Sequence, residues 1–373
     1  MKTSISRRQL LKTATSAALL GSAGTEWTKG RATAALASPT DRTMPNLALE
    51  INGKLAAAPY TEAGMQRIKQ LGVNHVIMGG PPIPWKAGQI RNLVDQLKSG
   101  GLTLGNMMIS GFPNVVYGRP GRDEEIAKVK QSIEAAGAAG VPVLEYNFYA
   151  HRLIEGYYEA TGRAGSGTTA FDFDRVRNLP PLADEGVHTV EEMWNNITYF
   201  LIAIIPVAEK AGVRMALHPN DPPAPSSRGS QQIMGDLKGW KRLIEIVPSK
   251  ANGITYDCGV TREMGEDPVE VCRFFGSRDR INHVHFRNVR IETPREKYQE
   301  VFLDEGQVKM FAVMKELIRQ GYPRLIYPEH PRRLDADKDF SGIPPMYPGG
   351  GSYIGYAFNV GYTRAMLQAA LAS

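Results

Sequence analysis

Residues 214–223 read RMALHPNDPP, residues 252–276 read NGITYDCGVTREMGEDPVEVCRFFG, and residues 280–289 read RINHVHFRNV. Each segment contains a short apolar run that is too short for a helix and rich in β-branched or aromatic residues, which indicates a strand. A fourth run, RLIYPE at 324–329, has the same form. All four end in side chains that bind metals. Strand ends of this kind, separated by helices, predict one site on one face of a parallel sheet.

The same alternation of strand and helix extends over most of the chain. Strands are predicted at 46–52, 75–78, 102–109, 141–147, 214–217, 253–256, 281–286 and 324–327. Helices are predicted at 62–71, 86–99, 123–139, 190–211, 236–247, 268–275, 306–320 and 356–371. Eight strand–helix units predict an α/β fold, a (β/α)8 TIM barrel. A long insertion after strand 4, at about 150–188, is expected to be a lid or binding loop.

The composition indicates a soluble globular protein without a nucleic-acid-binding surface. Hydrophobic residues make up 42% and charged residues 22% of the chain, enough for a sizeable core. The net charge is +6, but six basic residues and one acidic residue lie within 1–34, so the remainder carries about +1. No basic stripe is present there, and nucleic acid is not an expected partner.

The N-terminal segment has the form of a targeting signal. SRRQLLK at 6–12 resembles a twin-arginine export motif, an apolar stretch follows at 14–24, and small-residue cleavage sites lie at 32–34 and 35–37. The alternative is an ordinary basic, disordered N-terminus. We predict a signal peptide at 1–37, a single catalytic barrel domain at 38–373, folded export to the periplasm, and no membrane anchor after signal removal.

Candidate metal ligands lie at four consecutive strand ends. His218 closes the fifth strand, Asp257 or Cys258 the sixth, His285 the seventh and Glu329 the eighth. Two imidazoles with one or two carboxylates suit Mn²⁺, Fe²⁺ or Zn²⁺, whereas a thiolate would favour a softer metal. Because successive strand residues face opposite sides, only one of Asp257 and Cys258 is expected to be a ligand.

Other polar residues near these strand ends are candidates for substrate contact. Arg287 and Asn288 follow His285 in the sequence. An arginine fork there would bind a substrate carboxylate in two-point contact, and the alternative is a surface arginine in a loop. Asn147 at the end of the fourth strand is a further candidate. Asp221 is either a functional carboxylate or a turn former. His283 is expected to be a packed, hydrogen-bonded core residue.

The chain has two cysteines, Cys258 and Cys272. An oxidising compartment would favour a disulfide between them. Because Cys272 lies within a predicted helix, pairing would depend on how that helix packs. We expect two free thiols.

These motifs resemble the mannonate dehydratase family over about 47–371. The resemblance is densest in EYNFY, AFDFD, PVAEKAGVRMALHPNDPP, NGITYDCGVTREMGED, HVHFRNV, FLDEGQVKM and YPEHP. It implies a metal-dependent, xylose-isomerase-like (β/α)8 barrel that dehydrates D-mannonate to 2-keto-3-deoxy-D-gluconate, with the metal held by His, Cys, His and Asp. By motif the histidines fall on His218 and His285, the cysteine falls opposite Asp257 with Cys258 one place later, and Glu329 replaces the aspartate.

Two departures from the family pattern bear on the chemistry. The additional carboxylates make the site richer in oxygen, which favours Mn²⁺ or Fe²⁺, with Mn²⁺ preferred. The family's tail carries a Gly-Tyr-Ser segment and an Ile-Gly-Arg-Leu, whereas residues 350–356 here read GGSYIGY, so the tyrosine is displaced to Tyr353 and the arginine is absent. His330, Tyr353 and Asp221, in that order, are the candidates for proton transfer.

The predicted function is metal-dependent dehydration of a sugar acid, a hydro-lyase reaction. A sugar isomerase or epimerase would use the same metal-bound hydroxycarbonyl without releasing water. A non-catalytic periplasmic sugar-acid binder would retain the barrel and bind ligand without forming product. Barrels of this kind often assemble into homo-oligomers, and the sequence does not specify an oligomeric state.

Overall fold

The computed structural model describes residues 44–52, 58–341 and 347–373 of the chain. The predicted signal peptide at 1–37 lies outside these residues. Within the described ranges, no helix is long and apolar enough to cross a membrane.

The described residues form fourteen strands and eleven α-helices. The strands are β1 (Asn46–Glu50), β2 (His75–Gly79), β3 (Thr103–Met108), β4 (Val143–Tyr146), β5 (Tyr157–Thr161), β6 (Gly167–Asp172), β7 (Arg214–Leu217), β8 (Ser226–Ser227), β9 (Ser230–Gln231), β10 (Asn252–Asp257), β11 (Ile281–His285), β12 (Asn288–Thr293), β13 (Lys297–Val301) and β14 (Leu325–Tyr327). The helices are α1 (Glu62–Gln70), α2 (Ala87–Ser99), α3 (Pro113–Tyr117), α4 (Arg122–Ala138), α5 (Val190–Ala211), α6 (Leu237–Ile246), α7 (Cys258–Glu263), α8 (Pro268–Gly276), α9 (Met310–Arg319), α10 (Asp335–Ser341) and α11 (Tyr353–Leu371).

Eight parallel strands close into a barrel in the order β1-β14-β11-β10-β7-β4-β3-β2. Every residue of β10 and β11 is buried, as expected for strands covered on both faces. The long crossover helix α5 begins with a capping box, in which Thr189 and Glu192 satisfy each other's backbone N–H groups. The (β/α)8 barrel prediction is confirmed, and the eight barrel strands lie where the alternation predicts them.

A second, antiparallel sheet of four strands lies outside the barrel. Its order is β12-β13-β6-β5, so it joins the connection after β4 to the hairpin after β11. Tyr157 of β5 donates a hydrogen bond to Asp221 (2.6 Å), and Glu300 of β13 contacts His330 (2.9 Å). The sheet therefore reaches the loops at the carboxyl ends of the barrel strands.

The start of α11 is organised by one buried carboxylate. Asp337 Oδ1 accepts hydrogen bonds from the N–H groups of Ser352 and Ile354 (both 3.1 Å) and from the Ser352 hydroxyl (2.7 Å). Its Oδ2 accepts from the N–H of Leu334 (3.0 Å). The anion therefore satisfies donors at a helix N-terminus, where the helix dipole also favours negative charge.

We expect Asp337→Ala to lower the free energy of unfolding by about 3 kcal/mol, because several hydrogen bonds to a buried charge are lost together. Denaturant unfolding would measure this. Asp335→Ala is the matched control, since Asp335 is exposed and pairs only with Lys338 within the described structure. Equal stability of the two variants would contradict the assigned role of Asp337.

Candidate metal centre and reaction cavity

Five metal-binding side chains meet at the carboxyl ends of the barrel strands. Glu145 lies in β4, His218 follows β7, Asp257 and His285 end β10 and β11, and Glu329 follows β14. Their ligand atoms form two overlapping sets, Glu145–His218–His285 and Asp257–His285–Glu329, and within each set all atoms lie within 4.8 Å of one another. This cluster is the candidate metal centre.

His285 belongs to both sets. Its Nε2 lies 3.3 Å from Glu145 Oε1, and its Nδ1 lies 3.0 Å from Glu329 Oε2 and 3.2 Å from His218 Nε2. Burial acts to lower the pKa of His285, but the charges of Glu329 and Glu145 outweigh it and hold this pKa well above its usual value. The imidazole therefore takes up a proton between the two carboxylates, and a cation bound by one of its nitrogens would displace that proton.

His218 is a neutral imidazole with the tautomer that a metal ligand needs. Burial and the neighbouring His285 charge lower the pKa of His218 to about 4. Its Nδ1 lies 2.8 Å from the Pro219 carbonyl oxygen, which can only accept, so Nδ1 carries the proton. The lone pair of Nε2 therefore faces the centre.

Glu145 is a site residue that the sequence interpretation missed. Its carboxylate accepts hydrogen bonds from Asn106 Nδ2 of β3 (3.1 Å) and Thr255 Oγ1 of β10 (2.9 Å). Burial opposes ionisation, but His285 and other imidazoles keep the pKa of Glu145 below its usual value. Alternation offered a signal, because Glu145 and Asn147 are two residues apart at the end of β4.

Arg287 contacts two carboxylates of the centre and is 1% exposed. Its Nε is 3.0 Å from Asp257 Oδ2 and 3.1 Å from Glu329 Oε1, and its Nη1 is 2.6 Å from Glu263 Oε1. The sequence predicts Arg287 as a fork for a substrate carboxylate. The structure instead directs this guanidinium to the protein's own carboxylates, and Arg287 does not line the cavity described below.

The charges around the centre fit a bound cation. Six buried carboxylates lie in this region: Glu145, Asp221, Asp257, Glu263, Glu300 and Glu329. Three guanidinium groups contact them: Arg152, Arg287 and Arg332. Full ionisation would leave the carboxylates three charges in excess, and a bound divalent ion would offset two of them. In addition, the buried atoms His285 Nε2 and Glu329 Oε1 make no hydrogen bond in the described structure, although they lie 3.3 Å from Glu145 Oε1 and 3.1 Å from Arg287 Nε.

A cavity of about 210 Å³ opens onto the centre. We call it the reaction cavity, and its walls are Glu50, Ile77, Met108, Glu145, Asn147, Tyr149, Arg152, His218, Pro219, Asp221, His285, Tyr327, Glu329, His330 and Tyr347. The predicted residues Asn147, Asp221 and His330 are thus brought together with four of the five candidate ligands. Tyr149, Arg152 and Tyr347 also line the cavity, although the sequence interpretation did not assign them.

His330 stands at the edge of the reaction cavity in a strained backbone conformation. Its φ is 44°, in the left-handed region that non-glycine residues rarely adopt. Its Nδ1 is 2.9 Å from Glu300 Oε2, its Nε2 is 3.5 Å from Glu329 Oε2, and its ring packs on Tyr347 with centroids 4.6 Å apart. Arg332 Nη2 donates to the same oxygen of Glu300 (2.7 Å). This arrangement fixes the ring beside the candidate ligands.

Five predicted site residues do not line the reaction cavity: Asp257 and Arg287, described above, and Tyr353, Asn288 and Cys258. The Tyr353 hydroxyl donates to the Arg67 carbonyl oxygen (3.1 Å), so Tyr347 is the tail tyrosine at the cavity. Asn288 donates to the backbone carbonyl of Leu303 (2.8 Å) and shapes its own loop. Cys258 begins α7, and its thiol donates to the Arg287 carbonyl oxygen (3.3 Å) rather than facing the centre.

The two cysteines and His283 are buried, and burial keeps all three side chains uncharged. Cys258 and Cys272 are both buried and free, in agreement with the expected thiols. Burial also raises the pKa of both thiols. The expectation of a hydrogen-bonded His283 is wrong, since neither ring nitrogen has a hydrogen-bond partner within the described structure. Burial lowers the pKa of His283 to about 3, so the ring packs against His285 as a neutral group.

Comparison with known proteins identifies a family. Residues 183–372 match the family described as D-mannonate dehydratase (UxuA). The mannonate dehydratase of Thermotoga petrophila is 29% identical over 313 residues, covering 74% of this chain and 87% of that protein. Mannonate dehydratase 2 of Halalkalibacterium halodurans is 28% identical over 320 residues, covering 76% and 91%.

Solved structures agree with this result. The mannonate dehydratase structure from Streptococcus suis serotype 2 has a TM-score of 0.77 and 27% identity, and the match covers 88% of this chain and 94% of that one. A D-psicose 3-epimerase from Clostridium cellulolyticum H10 matches with a TM-score of 0.56 and 13% identity, covering 87% and 99%. The second likeness shows the shared fold.

We expect Asp257→Ala to weaken Mn²⁺ binding by more than about 100-fold, because loss of an outer-sphere partner alone already costs 10–100-fold. Titration calorimetry on metal-free protein would measure the affinity. Cys258→Ala is the adjacent control and should bind Mn²⁺ normally, since its thiol faces the Arg287 carbonyl. A reversed result would make Cys258 the ligand.

Proposed function

Because the chain belongs to the D-mannonate dehydratase family, we propose that it removes water from D-mannonate to give 2-keto-3-deoxy-D-gluconate. The observation that carries this proposal is the cluster of Glu145, His218, Asp257, His285 and Glu329 at the strand ends of a family barrel, where all but Asp257 line the reaction cavity. These five side chains would hold the divalent cation. Three carboxylates and two imidazoles form a hard, oxygen-rich donor set, which supports Mn²⁺ first and Fe²⁺ second.

The difficult step is removal of the C2 proton, because negative charge then develops beside a group that is already anionic. When bound, a divalent cation supplies positive charge that stabilises the negative charge developing next to the carboxylate. His330 is the proposed base. Its Nδ1 lies 2.9 Å from Glu300 Oε2, and a carboxylate there can only accept, so the neutral ring would carry its proton on Nδ1 and leave the lone pair of Nε2 available.

Tyr347 is the proposed proton donor to the C3 hydroxyl. Burial raises its pKa well above the usual value, so the phenol stays protonated beside His330. As the C2 proton passes to His330, the C3–O bond breaks and the departing oxygen takes the tyrosine proton to leave as water. The remaining enol becomes the 2-keto product. Tyr347 thereby takes the role that the sequence interpretation gave to Tyr353.

Asp221 is proposed to orient the substrate rather than to transfer a proton. Burial alone would raise its pKa, but Arg287 and Arg152 outweigh burial and hold it below the usual range. Tyr157 already donates to its Oδ1 (2.6 Å). An ionised and hydrogen-bonded carboxylate of this kind accepts a further bond from a substrate hydroxyl.

The test is to strip the full chain of metal, reload it with Mn²⁺, and follow 2-keto-3-deoxygluconate formation from D-mannonate. We expect product with Mn²⁺ and none in the presence of a chelator. Absence of product from protein holding about one Mn²⁺ per chain would refute the mannonate assignment. Isomerised sugar acid in its place would support the epimerase alternative.

His330→Asn provides the matched catalytic variant, because asparagine tolerates a positive φ better than most residues. We expect kcat to fall by about 10²–10⁴-fold, the usual contribution of a general base, with Mn²⁺ binding retained. A variant that keeps kcat would remove His330 from the mechanism.

We also infer that residues 1–37 direct folded export to the periplasm, because paired arginines, an apolar stretch and small-residue cleavage sites occur together there. Arg7→Lys combined with Arg8→Lys keeps the charge and removes the arginine pair. We expect the natural chain in the periplasmic fraction of a bacterial host and the variant in the cytoplasm. Equal export of both would contradict a twin-arginine signal. Homo-oligomer formation stays a prediction.

A further inference from the structure

Four carboxylic side chains line the reaction cavity, and two of them, Glu145 and Glu329, belong to the candidate metal centre. Glu50, Glu145, Asp221 and Glu329 all line the cavity. Arg152 is the single arginine or lysine among the lining residues. Because Arg287 is buried among carboxylates, it is not available to an incoming anion. The substrate carboxylate therefore needs a partner other than the one that the sequence predicts.

Hydrogen bonds to Asp221 hold Arg152 in place but leave some of its N–H donors without a partner in the described structure. Its Nε donates to the Asp221 carbonyl oxygen (2.8 Å) and its Nη2 to Asp221 Oδ2 (3.4 Å), which fixes the plane of the guanidinium. Nη1 makes no hydrogen bond within the described structure, and 43% of the side chain is exposed. Asp221 also faces Arg287 at 3.6 Å, so its charge is shared between two arginines.

Arg152 stands where two cavities meet. A second cavity of about 310 Å³ shares Asn147, Tyr149 and Arg152 with the reaction cavity. Among the residues that the structure describes, the Asn147 amide contacts only Met108 Sδ, at a distance of 3.9 Å. The Tyr149 hydroxyl makes no hydrogen bond within the described structure. The junction thus offers one cation and two groups able to hydrogen-bond hydroxyls.

We propose that Arg152 binds the carboxylate of the sugar acid, and that Asn147 and Tyr149 bind hydroxyl groups of its chain. The inference deepens the proposed function, because it takes an aldonate as the ligand. A guanidinium fork bound to a carboxylate gives both charge and orientation, which a lysine point charge does not reproduce. Arg152 therefore selects acids over the corresponding neutral polyols.

The test compares Arg152→Met with Arg177→Met in the Mn²⁺-loaded full chain. Arg177 lies in the same connection between β4 and α5 and has a similar exposure (42%), but it pairs with Asp174 and Glu296 outside both cavities. Titration calorimetry would measure the affinity for D-gluconate, an anion, and D-mannitol, its neutral counterpart. Turnover assays would measure KM for D-mannonate.

We expect Arg152→Met to weaken D-gluconate binding and raise KM for D-mannonate by about 10- to 100-fold, as for loss of a charged hydrogen bond. D-Mannitol binding should not change, Arg152→Lys should lie between, and Arg177→Met should match the natural chain. Unchanged D-gluconate affinity in Arg152→Met, with Mn²⁺ still bound, would overturn the inference. The inference would also be overturned if the natural chain bound a sugar phosphate more tightly than D-gluconate.

The two proposals fail separately. If D-mannonate is not turned over but D-gluconate binding still depends on Arg152, the proposed role of Arg152 is supported and the proposed reaction of D-mannonate is refuted. If turnover is normal and Arg152→Met leaves both KM and D-gluconate affinity unchanged, the reaction stands and the carboxylate has another partner.

Discussion

A guanidinium group buried at the mouth of a barrel must be neutralised where it stands, because bulk water is not available to solvate it. Arg287 is in this position, and five carboxylates surround it: Asp221, Asp257, Glu263, Glu300 and Glu329. Two of them, Asp257 and Glu329, also belong to the candidate metal centre. The same arginine therefore orients ligand carboxylates and limits the repulsion between them, so the centre and its support form one unit.

The carboxylates around Arg287 come from elements with different roles. The barrel supplies Asp257 at the end of β10, whereas Glu263 closes the short helix α7 and Glu300 comes from β13 of the outer sheet. Glu300 then contacts both His330 and Arg332. Correct placement of the proposed base therefore depends on the hairpin β12–β13 as much as on the barrel. The barrel fold occurs in enzymes with many different reactions, and here the outer sheet that packs against the ends of the barrel strands supplies part of the site.

Much of this arrangement could be predicted, and the failures have physical causes. The site could be predicted from the strand ends because parallel strands place their carboxyl ends on one face of the barrel. These strand ends carry His218, Asp257, His285 and Glu329. Local pattern could not reveal that β13 pairs with β6, more than a hundred residues earlier in the chain. Without that pairing, Glu300 had no visible partner. The prediction that Arg287 binds a substrate carboxylate was wrong because its position next to His285 in the sequence does not determine which carboxylate it pairs with in the fold.

The position that the family fills with cysteine shows how ligand choice and folding are linked. Asp257 Oδ1 accepts the Val260 N–H (2.8 Å) and so caps α7, while Oδ2 pairs with Arg287 (3.0 Å). A single sulfur could not serve both partners with such geometry, whereas each carboxylate oxygen retains a lone pair for a metal. Burial raises the pKa of Asp257 to about 7 against the opposing effect of Arg287, so a bound cation must also displace a proton in near-neutral solution. The carboxylate thus gives the centre a harder ligand and makes cation binding compete with protons.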